Sequence, residues 1–183
     1  MIDDIPIDDK TVLLELARKS IENSFKKLDP PVKPVASEIL DEHFGAFVTL
    51  HKHGELQGCI GYIEAIGPLW ETVRNLALKS AFDDPRFNPL TEPELSECDI
   101  EISVLTPLEP CPDPEKIEVG KHGLYIRKGY YSGLLLPQVP VEWGWNREEF
   151  LQHTCNKAGL PVNSWKDKDS ELFWFSAIVF SEK

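Results

Sequence analysis

The links between the apolar, β-rich runs of this chain are too short for a parallel crossover. Residues 44–51 and 55–63 read as strands with only a short turn around His51-Lys52-His53-Gly54 between them. Residues 124–127 and 130–136 are joined by Lys128-Gly129. A parallel connection needs a dozen or more residues, so both pairs read as antiparallel hairpins, with glycine supplying the turn. Asp99-Ile-Glu-Ile-Ser-Val-Leu105 alternates apolar and polar, the mark of a half-buried strand. Residues 172–180 form a final run apolar enough to lie in mid-sheet. A βαβαβ rhythm is absent, which excludes a doubly wound parallel sheet.

Three longer segments read as helices. In residues 11–27, Leu13, Leu14, Ala17, Ile21 and Phe25 recur at helical spacing, with Asp8 and Asp9 placed to oppose the helix dipole. Pro68 opens a second helix, which ends at Asp83-Asp84-Pro85. Asn146 and Glu149 have capping-box spacing for a third helix over 146–158, closed by Gly159 and Pro161. The expected fold class is α+β: a largely antiparallel sheet with about three helices, in two unequal subdomains. The chain reads as a single domain over 1–183, with subdomain seams at the proline-rich stretches 30–34 and 107–114.

Charge narrows the function. Lys+Arg 19 against Asp+Glu 31 leave a net charge of −12, which opposes binding to a phosphate backbone. A local basic patch from Lys121, Arg127 and Lys128 is the weak counter-argument. No apolar run approaches the length of a membrane span, and the acidic start, Met1 to Lys10, is unlike a secretory signal. The expectation is a cytoplasmic, acidic protein. Cys59, Cys98, Cys111 and Cys155 form no CxxC, so they are expected to be reduced thiols without a metal or a disulfide framework. No cofactor signature such as GxGxxG or GxxxxGK[ST] is present, and neither GxSxG nor HExxH occurs.

The most informative segment is Leu56-Gln57-Gly58-Cys59-Ile60-Gly61. Strand alternation places Leu56 and Ile60 on one face, the core, and Gln57 and Cys59 on the other. Gly58 and Gly61 weaken a strand, so they serve a bulge or a close backbone approach. An accessible thiol beside glycine backbone is suited to a small site. Its alternative is a buried packing cysteine. A strand position gives no helix dipole, so activation of Cys59 must come from distant residues. His122, between Gly120-Lys121 and Gly123, is the candidate base. Arg86, in Asp84-Pro85-Arg86-Phe87, is the candidate anion clamp, or else a salt bridge that ties the loop down. Gln57 and Gln138 are candidate polar contacts. His51 and His53 form a His-x-His that reads as solvated turn residues, because two ligands do not define a metal site. His43 and His153 have no constellation. Trp143-Gly144-Trp145 and Tyr130-Tyr131 read as packing aromatics.

Several runs together resemble one family. They are Phe47-Val48-Thr49-Leu50, Leu56-Gln57-Gly58-Cys59-Ile60-Gly61, Asp84-Pro85-Arg86-Phe87, Ile102-Ser103-Val104-Leu105, Val119-Gly120-Lys121-His122-Gly123, Leu136-Pro137-Gln138-Val139, Gly144-Trp145 and Lys157-Ala158-Gly159-Leu160-Pro161. In this order the chain is similar to the AMMECR domain family, protein A of the AmmeMemoRadiSam system. The resemblance implies an α+β protein of two unequal subdomains, associated with a radical SAM enzyme and a Memo-type protein. It implies a fold rather than a reaction. The family hexapeptide is written LRGCIG, and Gln57 stands here at the arginine position, which removes a positive charge from beside the thiol.

Two functional readings follow. In one, the chain is a cysteine-dependent enzyme or enzyme component acting on a small substrate in a cleft between subdomains, with Cys59 and His122 catalytic. Gln57, Gly58, Gly61, Arg86 and Gln138 then bind the substrate. In the other, it is a non-catalytic adaptor for the radical SAM or Memo-type partner.

Overall fold

The computed structural model describes residues 4–35 and 37–182. Among them the chain forms α1 (Ile7–Phe25), β1 (Gly45–Lys52), β2 (Glu55–Tyr62), α2 (Leu69–Phe82), α3 (Glu92–Leu95) and β3 (Cys98–Leu105). Then follow β4 (Glu109–Pro110), β5 (Gly123–Lys128), β6 (Tyr131–Leu135), α4 (Gln138–Glu142), α5 (Arg147–Lys157), β7 (Glu171–Phe175) and β8 (Ala177–Ser181). The fold is α+β, with two four-stranded sheets of order β2-β1-β3-β8 and β4-β7-β5-β6. No helix among the described residues is long and apolar enough to cross a membrane.

The chain divides into two compact units. The first is Met1–Leu105 with Ile178–Lys183, and the second is Thr106–Ala177. In the first, alternate residues Ala46, Val48 and Leu50 of β1 and Ile100, Ile102 and Val104 of β3 are fully buried. They pack with Leu69, Val73, Leu76 and Ala77 of α2 and Leu13, Ala17 and Ile21 of α1 in one core. The helical periodicity and the strand alternation therefore meet in a single apolar layer. In the second unit, Leu124 and Ile126 of β5 lie under Phe150, Leu151 and Cys155 of α5.

Local chemistry sets the element ends. Asn146 Oδ1 accepts the Glu149 N–H at 3.0 Å while Glu149 Oε2 accepts the Asn146 N–H at 2.8 Å, a full capping box. His53 and Gly54 both take positive φ (53° and 83°), which closes the β1–β2 turn. Asp8 and Asp9 lie inside α1 rather than before it, and Asp9 turns inward to Ser37.

One expectation needs correction. Residues 172–180 are not one mid-sheet strand. The run breaks at Ser176 into β7, interior to the second sheet, and β8, at the edge of the first. A continuous apolar run does not reveal that its two halves serve different cores. Residues 86–94 end in the short α3, where Thr91 and Glu94 cap each other. Within the proline-rich stretch 107–114, Glu109–Pro110 pairs with β7.

Candidate functional site

The β1–β2 pairing steps from Leu50↔Gly58 to His51↔Leu56, so Gln57 is an extra, bulged residue. The bulge reverses the side-chain parity on its N-terminal side. Ile60, opposite Val48, packs against the core as expected, and Cys59, opposite Thr49, lies on the other face. Leu56 is opposite His51, on the Thr49 face, and is 39% exposed. The expected inward position of Leu56 is thus overturned by one inserted residue.

Both glycines of the hexapeptide are sites of close approach. A Cβ on Gly58 would lie 2.1 Å from the Ser80 carbonyl oxygen of α2, and one on Gly61 would lie 2.2 Å from the Phe47 ring. The glycine at 58 lets the last turn of α2 press directly on β2. Ser80 then enters the β1–β2 ladder. Its Oγ donates to the Val48 carbonyl at 2.7 Å and accepts the Ile60 N–H at 3.0 Å.

The close approach delivers the chain after α2 to the outer edge of β2. Asp84, with its side chain only 2% exposed, accepts the Cys59 N–H at 2.9 Å. The same carboxylate accepts the Arg86 N–H at 3.1 Å, Nε at 3.0 Å and Nη2 at 2.7 Å. Arg86 Nη2 also donates to the Cys59 carbonyl at 3.1 Å. An edge strand leaves such groups unpaired; here the Asp84–Arg86 pair satisfies both sides of one residue. Arg86 holds the Asp84 carboxyl well below the usual carboxylate range.

The thiol has its own partner. Thr49 Oγ1 donates to Cys59 Sγ at 3.2 Å across the strand pair. Burial pushes the Cys59 thiol above its ordinary pKa, against the lowering effects of Thr49 and Arg86, and the charges of Asp84 and Glu101 add to the rise. Cys59 therefore sits as a neutral, half-buried thiol at pH 7. Cys98, Cys111 and Cys155 are free thiols as well.

Gln57 and Arg86 are brought together in a depression of about 410 Å³. Phe87, Asn88, Glu94 and two prolines complete its lining, and Cys59 is not part of it. Gln57 Nε2 donates to the Asn88 carbonyl at 3.4 Å. The Arg86 guanidinium lies 5.3 Å from the Phe87 ring centroid. Among the described residues Arg86 Nη1 has no hydrogen-bond partner.

The remaining candidates belong to the second unit. His122 Nδ1 accepts the Glu118 N–H at 3.0 Å, which leaves the neutral ring's proton on Nε2. Its ring lies on Trp174 with centroids 4.5 Å apart. Burial, helped by Lys121, lowers its pKa. Gln138 is the first residue of α4 and half-buried. Trp145 stacks face to face on His153 at 3.7 Å, while Trp143 is 70% exposed. His53 Nε2 meets Glu97 at 3.1 Å in the turn. No three His, Cys, Asp or Glu among the described residues converge to hold a metal ion.

Sequence reasoning missed Thr49, Ser80, Asp84 and Asn88 as parts of this site. Thr49 was within reach of it: strand pairing in a tight hairpin puts the residue ten positions back opposite Cys59. Asp84 was legible only as an acid beside Arg86, since nothing in the sequence shows that its other oxygen reaches a strand 25 residues away.

The comparisons agree with this architecture. The AMMECR1 family model matches residues 14–180. A protein of Thermococcus kodakarensis is 47% identical over 183 residues, covering 93% of this chain and 89% of its own length. A protein of Aquifex aeolicus is 44% identical over 178 residues, covering 93% and 91%. The crystal structure of uncharacterized protein PH0010 from Pyrococcus horikoshii superposes with a TM-score of 0.89 at 45% identity, covering 94% of this chain and 90% of that one. The chain belongs to the AMMECR1 family.

Proposed function

We propose that the chain is an enzyme component that holds a small polar ligand in the depression of Gln57 and Arg86, with Cys59 as the thiol beside it. The observation that carries this reading is the fixing of Cys59 at three points: its N–H by Asp84, its carbonyl by Arg86 and its sulfur by Thr49. The two backbone bonds serve the strand edge whatever the side chain, and the Thr49 hydroxyl on the sulfur is the one that a packing cysteine does not need. Fixed geometry of this kind is what a group acting on a bound molecule requires.

The neutral thiol supports a division of labour. Cys59 alone has no thiolate to offer at pH 7, so its chemistry waits for a positive charge from a partner. A radical SAM enzyme and a Memo-type protein are the partners that the resemblance implies. The adaptor reading rests on the same neutrality: a thiol that never ionises is only a small side chain in an interface.

Iodoacetamide labelling followed by mass spectrometry tests the reading. Cys59 is expected to label several-fold more slowly than free cysteine at pH 7, with the rate rising steeply toward pH 10. Gln57→Arg is expected to raise the rate at pH 7 several-fold, because the added guanidinium favours the thiolate. No response of Cys59 to that added charge would leave the adaptor reading alone.

A further inference from the structure

We propose that the depression lined by Gln57, Arg86, Phe87 and Asn88 takes a planar, uncharged amide, such as a primary carboxamide or a lactam edge, in preference to a carboxylate or phosphate. The inference rests on the reading of this depression as a ligand site and names its chemistry.

Charge is the first argument. The depression contains two ionised groups, and both are already neutralised. Arg86 is paired through two nitrogens with Asp84. Glu94 accepts Lys52 Nζ at 2.9 Å and the Thr91 hydroxyl at 2.6 Å, and its pKa is lowered to about 2, chiefly by Thr91 and Lys52. The local balance is near zero, and the chain's net charge of −12 repels anions at a distance. An anion gains little here.

Hydrogen-bonding capacity is the second argument. Arg86 Nη1 carries two N–H donors. Gln57 Oε1 and the side-chain amide of Asn88 have no hydrogen-bond partner among the described residues. The unused groups are therefore donors and acceptors together. A carboxylate only accepts, and would meet Gln57 Oε1, whose amide nitrogen is already engaged, with lone pairs against lone pairs; the Asn88 amide can turn a donor or an acceptor to either ligand. A neutral amide offers a carbonyl to Nη1 and an N–H to an amide oxygen, so both edges are satisfied. The ring of Phe87 and the prolines at its sides give a planar group apolar surface to lie on.

Benzamide and benzoate are matched probes, alike in shape and different in charge. Their binding to the full chain is read from 1H–15N shifts of the side-chain amides of Gln57 and Asn88 and of Arg86 Nε–H. Benzamide is expected to shift these signals and to bind at least tenfold tighter than benzoate. Asn88→Ala is expected to weaken benzamide several-fold at an unchanged melting temperature. Gln57→Arg is expected to reverse the order of the two probes. Benzoate binding as tightly as benzamide to the wild-type chain, or no shift of these signals with either probe, would overturn the inference. The readout does not involve the thiol, so an inert Cys59 with benzamide bound speaks against the thiol chemistry alone. A charge-responsive Cys59 with no benzamide bound speaks against this inference alone.

Discussion

The Asp84 carboxylate and the Cys59 backbone are joined by a 2.9 Å hydrogen bond between residues 25 apart in sequence. This bond ties the loop after α2 to the edge of β2. It exists because α2 lies so close to β2 that Ser80 fits only against a glycine. The loop in turn holds Arg86 over the Cys59 carbonyl. Helix packing, edge-strand protection and the candidate site are thus one arrangement.

Asp84→Asn should destabilise the chain by about 2 kcal/mol. A buried, hydrogen-bonded carboxylate is lost, but its partner Arg86 is half-exposed and stays solvated, which keeps the cost below that of a fully buried pair. That corresponds to a fall in melting temperature of roughly 4–8 °C for a chain of this size. The carboxyl is more acidic in the fold than in the unfolded chain, so its stabilisation is complete above about pH 4 and is lost as pH falls further. Thermal melts from pH 7 to pH 2 should show a steeper acid loss in the wild type than in the variant. Parallel curves would mean that Asp84 does not carry the charge pair.

Gly58→Ala should cost about 3 kcal/mol, at the upper end for overpacking. The obstacle is a backbone carbonyl rather than a flexible side chain. Gly61→Ala meets the Phe47 ring and, at 2.6 Å, the Ala46 carbonyl oxygen, so it is blocked by backbone as well. Urea denaturation gives the test; a Gly58→Ala midpoint equal to that of the wild type would contradict the close approach of α2.

Ser80→Ala should destabilise by about 1–2 kcal/mol. The Ile60 N–H and the Val48 carbonyl both lose the hydroxyl that bridges them inside the sheet. Amide hydrogen exchange at Ile60 should quicken at least tenfold, while Ile102, in the neighbouring strand, should hardly change. Unaltered exchange at Ile60 would show that the ladder closes without the hydroxyl.

Much of the fold was legible because its local signals are strong. The 146–149 capping box, the His53-Gly54 turn and the proline before α2 all act within a few residues, and all appear as expected. What escaped was parity and partition. The bulge at Gln57 changes which face Leu56 occupies without altering the apolar pattern, because register depends on the partner strand. Ser176 divides an unbroken apolar run between two sheets. The resemblance drew attention to the hexapeptide and to Arg86. The oxygen atoms that hold them come from Asp84 and Thr49, whose contacts are tertiary.

His122 should titrate below the ordinary histidine value, because burial and Lys121 both disfavour its cation. The stability tied to its neutral form is present above about pH 6.5 and is lost as pH falls through that value. Nitrogen-15 shifts of the ring should place the neutral proton on Nε2, since Nδ1 accepts from Glu118. A midpoint above pH 6.5 would refute this.

The most direct measurement is the titration of the Cys59 13Cβ shift in the intact chain. Burial with Asp84 and Glu101 nearby predicts a midpoint above that of the same cysteine in the urea-unfolded chain, so that the thiol is neutral at pH 7. A midpoint below the unfolded value would mean that Cys59 is already an activated thiolate, and that Asp84 and Arg86 hold it for a different reason.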